Sequence, residues 1–359
     1  MRVAPDRLRQ LTATILARGG SEVPEAELVA AHLVDANLAG HDSHGVGLVP
    51  HYVRHLTEGL VVPNTSVKVV KDDGAFLMFD GQRGFGRRVA GEAMAAAIAR
   101  VRETGVAVAT LANSHHVGRV GAYGELATAA GLVSLHFVNV VDHVGLVAPF
   151  RGSDARFSTN PVCIGMPGTA TQPPLLLDMA TSGVAMGKVA VAKRAGKKLA
   201  AGNLIDAQGA PTNDPEVMFR DPRGSLLPFG AHKGFALAVM TELLAGAMSG
   251  GGTLQPENPR RGGTVNNMFS VLVDPARLAG VDWMRREVDG FVGYVKGSPA
   301  SDPASPVLVP GDPERLSRAA RQRAGIPLDA TTWEELVTAG AVMGVTRAQA
   351  EAIAAPVAD

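Results

Sequence analysis

Residues 106–141 read VAVATLANSHHVGRVGAYGELATAAGLVSLHFVNVV. The opening VAVATL, small and β-branched, suits a buried strand. A glycine-flanked loop, NSHHVGRVG, follows; AYGELATAAG then predicts a short helix and LVSLHFVNVV a second apolar strand. Strand, glycine loop, helix and strand form a βαβ-like unit, which places the chain in the α/β class. The unit invites comparison with the dinucleotide fingerprint, GxGxxG with an acidic residue ending the second strand, where Asp142 stands here. The glycines fall instead at Gly118, Gly121 and Gly124, a GxxGxxG spacing, and the helix behind them is short. Two bulky imidazoles, His115 and His116, also crowd the turn. A dinucleotide bound by this chain needs another geometry.

Outward from this unit the pattern divides the chain. Before it, PDRLRQLTATILARGG and PEAELVAAHLVDANLAG predict helices, the second with Pro24 in its first turn and Gly40 at its end. HDSHG then lies in the turn after a helix, and VPHYVRHLTEG predicts a third. SVKVVKDDGAFLMFDG predicts two strands around an Asp-Gly turn, and RRVAGEAMAAAIARVRETG a helix closed by Gly105. After residue 150 strands and Gly/Pro-rich loops alternate until an apolar helix over 233–249; MFSVLVDP predicts one more strand. The remainder reads as helices broken by the proline-rich SPASDPASPVLVPGDPE. No internal repeat is evident.

Composition excludes several partners. The 34 basic and 34 acidic residues balance, so the positive footprint of a nucleic-acid or anionic-membrane binder is missing. Aromatics make up only 4%, which argues against a stacking platform for single strands. Cys163 is the only cysteine, so no intramolecular disulfide forms, as suits a reducing cytoplasm. MRVAPDRLRQL has no apolar run of the signal-peptide kind, and FALAVMTELLAGAMSG is too short for a bilayer and carries Glu242. A soluble cytoplasmic protein is expected.

The chemistry-bearing residues leave alternatives open. A histidine of ordinary pKa near 6.5 suits reversible proton transfer to a carbinol or carbonyl oxygen. His41, His44, His115 and His116 with Asp42 could instead gather around a metal, although no HxH or HExxH spacing supports it. Lys233, between Gly230 and Gly234 at the start of the apolar helix, makes either an anion site or a plain glycine turn. Asp178, ending LLLD, could accept hydrogen bonds from a ribose or simply cap a helix. Cys163 reads as a buried small hydrophobe.

Six ordered motifs, SHGV (43–46), NSHHVGRVG (113–121), STNPVCIGMPG (158–168), LLLDMATS (175–182), GAPTNDP (209–215) and AHKGFALAVMTELLAGAMSGG (231–251), together resemble the type-2 malate/L-lactate dehydrogenase family. AGHDSHGVGLVPHYV and SHHVGRVGAYGE are most similar to its hydroxycarboxylate dehydrogenase branch. The resemblance implies a mixed-sheet, non-Rossmann cofactor domain flanked by a helical part built from both chain ends. The division it suggests is a helical part over 1–65, an α/β cofactor- and substrate-binding domain over 66–310, and C-terminal helices over 311–359. It further implies homodimers with the active site near the subunit interface, use of NAD or NADP, and interconversion of 2-oxo and 2-hydroxy acids.

Carried over by residue, the resemblance makes His116 the acid–base histidine, with His44 second and Ser43 beside it. It places Gly118, Arg119, Val120, Leu176, Leu177, Asp178, Met179, Ala180, His232, Lys233, Asn266, Val309, Pro310, Gly311 and Asp312 against the cofactor, together with His44. No metal is implied. Many members carry SHGxxR, whose arginine clamps the substrate carboxylate; here that position is Leu48. Arg119, Arg54 and Arg151 are the candidate replacements, and an apolar residue 48 points to a bulky apolar acid rather than malate. Reduction of a cyclic imino acid, a histidine-ligated metallohydrolase and an inactive binding module are the competing readings.

Overall fold

The computed structural model describes residues 1–194 and 196–357. From the N-terminus, strand β1 (Arg2–Val3) leads into helices α1 (Pro5–Arg18) and α2 (Val23–Leu38). Two single 3-10 turns, Asp42–His44 and Val46–Leu48, then lead into α3 (Val49–Thr57). Leu8, Leu11, Ile15 and Leu16 recur at helical spacing and are fully buried, which is why α1 forms and which face it hides.

The central sheet has seven strands. The hairpin β2 (Lys68–Asp73) and β3 (Phe76–Asp80) precedes α4 (Gly86–Thr104), which Gly105 closes at φ +81°. Next come β4 (Val106–His115), α5 (Gly121–Ala129), β5 (Val133–Val141), β6 (Val162–Met166) and β7 (Leu175–Met179). A smaller lobe carries α6 (Met186–Arg194), β8 (Leu204–Ile205), β9 (Pro211–Thr212) and β10 (Ser225–Leu226), the three strands forming their own sheet. Then α7 (His232–Glu242), a π turn at Leu243–Ala247, and β11 (Val265–Val273) return to the centre. The chain ends in α8 (Val281–Lys296), α9 (Asp312–Ala324), β12 (Ile326–Pro327), α10 (Ala330–Val342) and α11 (Arg347–Ile353).

Strand order is β2-β3-β4-β11-β5-β6-β7. Only β3 and β4, joined through α4, are parallel neighbours; every other adjacent pair is antiparallel. The β4–α5–β5 unit is therefore real but split, because β11 inserts antiparallel between its two strands. This is a mixed sheet and not a Rossmann sheet, as the glycine spacing required. A second expectation is adjusted: β4 continues through Ser114 and His115, so the loop begins only at His116.

One core joins the two chain ends. Leu8, Leu33, Val49 and Tyr52 pack with Ile326, Trp333 and Leu336. β1 pairs with β12, closing the same unit. Among the described residues no helix is long and apolar enough to cross a membrane.

Candidate active site

The site lies where the 3-10 turn after α2, the helix α3 and the end of β4 meet. The rings of His44 and His116 stack with centroids 5.8 Å apart and planes 15° from parallel. Ser43 Oγ lies 3.0 Å from His44 Nδ1. Tyr52, one turn into α3 and buried, places its hydroxyl 2.8 Å from His116 Nδ1. Ser43, His44 and His116 are thus brought together as the sequence suggested. Tyr52 was missed: it sits in an ordinary helical pattern, and only the packing of α3 against β4 shows its direction.

Both imidazoles favour the neutral form. Burial brings His44 down to about 4, with His41 and Arg119 adding to the shift while the Asp178 carboxylate opposes it. Burial, then the neighbouring imidazoles of His44 and His115, keeps His116 well below the ordinary histidine value. Two rings at this separation in a poorly solvated place cannot both carry charge. The pair therefore holds at most one extra proton. Burial likewise raises the Tyr52 phenol, so it stays neutral.

The glycine loop proves to be a packing device. A Cβ on Gly118, which has φ +74°, would stand 2.0 Å from His32 Nε2; that nitrogen accepts the Arg119 N–H at 3.1 Å. A Cβ on Gly121 would meet Arg119 Nη1 and Asp178 Oδ2, and one on Gly124 would meet Leu176 and Cys163. Asp178 Oδ2 accepts the Gly121 N–H at 2.9 Å, which closes the start of α5 to a phosphate. Asp178 thus caps a helix, though it is α5 and not the one that follows it in sequence, and its charge also reaches His44.

Arg119 corrects an expectation. Its side chain is buried and lies among Asp35 (3.2 Å), Glu125 and Asp178 (3.8 Å), with Arg318 sharing Asp35 and Glu125. A guanidinium so surrounded is not available to clamp a substrate carboxylate. Its three anions come from α2, α5 and β7, so the network ties the helical part to the sheet beside the site. Arg54 is exposed and turned to His51 and His55, and Arg151 stacks on Phe150, 5.1 Å away. Leu48 packs against the helical core.

The expected cofactor residues divide. Leu177, Met179 and Ala180 run half-buried along and just beyond β7, an edge strand, while Leu176 and the Asp178 side chain are buried. The 309–312 loop lies against them, the Leu176 N–H donating to the Pro310 carbonyl at 3.2 Å. Gly311 adopts φ +92°, and Val309 is buried. Phe229 N–H donates to Thr181 O at 3.0 Å, which ties the approach to α7 to the same segment. His232 and Lys233 stand exposed at the start of α7. Val120 packs into the core, so only its backbone faces the loop. Asp312 accepts from Lys296, the Val309 N–H and Arg315, which outweigh the effect of burial and hold it at about 2. Asn266 is buried with both ends of its amide engaged, accepting from Val117 N–H and donating to Asn139 O. Both side chains are engaged with groups of the protein itself.

The metal alternative loses its ligands to other partners. His41 Nε2 lies 3.1 Å from Glu314, and Asp42 pairs with Arg321 at 2.9 Å. Among the described residues no group of three or more His, Cys, Asp or Glu side chains is placed to hold an ion.

The comparisons with known proteins agree with this architecture. The family model described as malate/L-lactate dehydrogenase matches residues 3–337. The L-lactate dehydrogenase of Cupriavidus necator is 45% identical over 319 residues, 89% of this chain and 91% of that protein. Hydroxycarboxylate dehydrogenase B of Escherichia coli K12 is 46% identical over 328 residues, 91% of this chain and 90% of that one. The solved structure of sulfolactate dehydrogenase from Methanocaldococcus jannaschii superposes with a TM-score of 0.83 at 30% identity, covering 96% of this chain and 98% of that one.

Proposed function

On the premise that the chain belongs to the malate/L-lactate dehydrogenase family and is an oxidoreductase, we propose that it interconverts 2-oxo and 2-hydroxy acids with NAD or NADP. The observation that carries the proposal is the stacked His44–His116 pair with Tyr52 on His116 Nδ1. With Nδ1 occupied, Nε2 is the nitrogen left to meet the substrate oxygen. In the reductive direction the protonated ring gives up its Nε2 proton, and Nδ1–H goes on donating to the Tyr52 oxygen. In the oxidative direction the neutral ring accepts the alcohol proton at Nε2 in that same tautomer. Tyr52 thus serves both protonation states without changing its own charge. Ser43 orients His44, whose position between His116 and Asp178 decides how readily the pair takes up its single proton.

The residues present fit a nicotinamide dinucleotide. An edge strand offers backbone N–H and C=O groups side by side, as a carboxamide requires, and half-exposed Leu177, Met179 and Ala180 give a flat apolar bed. His232 and Lys233 at a helix start suit a phosphate. When bound, the cofactor gives or takes the hydride at the substrate's C2. An uncharged residue 48 supports a monocarboxylic acid with a bulky apolar side chain; Leu48 contributes by lacking a cation, since its side chain packs on the helical core. We include in the proposal a homodimer, supported by the exposed Met240, Leu243 and Met248 along α7 and its π turn, and a cytoplasmic location, supported by the single buried Cys163.

Absorbance at the nicotinamide band tests the proposal with pyruvate, phenylpyruvate, oxaloacetate and a cyclic 2-imino acid, each against NADH and NADPH. Reduction of the monocarboxylic 2-oxo acids, phenylpyruvate ahead of oxaloacetate, is expected. Turnover confined to the imino acid overturns it.

A further inference from the structure

The end of β4 contains an irregularity that its role in proton transfer does not by itself demand. Along the β4–β11 ladder Phe269 faces Thr110 and Met268 faces Leu111, whereas Asn266 faces Ser114 and Val265 faces His115. Asn267 alone therefore stands opposite two residues, Ala112 and Asn113. This is a β-bulge, and Asn113 occupies it at φ +55°.

The bulge is fully held. The Asn113 N–H, lost to the ladder, donates to Asn267 Oδ1 at 2.9 Å. Asn113 Nδ2 donates to Asp80 Oδ1 at 3.1 Å on the neighbouring β3. Asn267 is itself fully buried, and its Nδ2 donates to Asn139 Oδ1 and to the Gly252 carbonyl. No room exists for a side chain at Gly251, whose Cβ would lie 2.0 Å from Asn267 Oδ1. One residue along, Asn266 Oδ1 takes the Val117 N–H at 2.8 Å and pins the chain just past His116.

Successive side chains of a strand point to opposite faces, and one extra residue reverses the order beyond it. Here two adjacent histidines follow after Ser114, so the reversal decides which of them faces the site. As the chain stands, His116 meets Tyr52 and His44. His115 is buried against His55, with its Nε2 2.8 Å from His55 Nδ1. Without the bulge the two would exchange directions.

We infer that the Ala112–Asn113 bulge, clamped by Asn267, selects His116 over His115 as the ring that faces the substrate, which makes Asn113 and Asn267 positioning residues. The inference rests on the reading that His116 carries the proton.

The test compares Asn113→Val, Asn113→Gly and His116→Ala in the full-length protein, reading kcat, the pH profile of kcat, NADH and NADPH binding by fluorescence, and melting temperature. Valine resists φ +55°, so Asn113→Val loses about 100-fold in kcat and shifts the pH profile, with nucleotide binding retained. Glycine accepts that angle, and Asn113→Gly stays within about threefold of the parent. Should Asn113→Val fail to fold, Asn113→Ala replaces it: kcat below that of Asn113→Gly supports the selection, and equality overturns it. His116→Ala separates the two claims. If it is inactive while Asn113→Val turns over normally, the bulge inference alone falls; if it is active, the proton-transfer reading falls first.

Discussion

At the scale of single residues, the decisive contact is the one between Tyr52 and His116. Removing the hydroxyl leaves the imidazole free to choose its tautomer and to turn. Tyr52→Phe is expected to lower kcat by about 10- to 100-fold with little change in nucleotide affinity, measured by steady-state kinetics beside a binding titration. An unchanged kcat would show that Nδ1 needs no partner. Short glycine-flanked motifs drew attention to His116 and His44, and the family resemblance alone gave them roles. Tyr52 was not legible, since a tyrosine inside VPHYVRHLTEG has no local mark of chemistry. Arg119 was misleading for a related reason. Its anions, Asp35, Glu125 and Asp178, lie far apart along the chain, and only folding brings them around it.

At the scale of elements, the turn between β4 and α5 is shaped by close approach of the chain to itself. Gly118→Ala forces a Cβ into His32 at φ +74°. The expected cost is about 2–3 kcal/mol, seen as a lower melting temperature, together with loss of turnover as the His116 loop moves. A stable, active Gly118→Ala would mean that the loop relaxes freely. Helical and strand periodicity made nearly every large element readable. The sheet order was not readable, because β11 arrives more than a hundred residues after β5 and lies between β4 and β5. The bulge in β4 was hidden as well: nothing in LANSHH distinguishes an extra residue from a continuing strand until its partner is known.

At the scale of the whole molecule, several histidines are folded into places that favour the neutral ring. Burial brings His32 and His136 down to about 3, and it also lowers His55 and His115. In the unfolded chain they return to about 6.5, so below that pH the unfolded state binds more protons. The stability they confer is complete above about pH 6.5 and is lost as pH falls toward the folded values. At pH 5 each such histidine removes up to about 2 kcal/mol, so the melting temperature is expected to drop clearly between pH 7.5 and 5. A flat profile over that range would mean that the rings reach solvent. The union of the two chain ends was expected from family resemblance alone. Composition shows that a core exists but not that Leu8 and Leu336 share it.

The most direct measurement is the turnover of His116→Gln in the presence of the best 2-oxo acid, with the cofactor dissociation constant read on the same preparation. Loss of about a thousandfold in kcat at unchanged cofactor affinity is the expected result. Turnover close to that of the unmodified chain would contradict proton transfer by this ring.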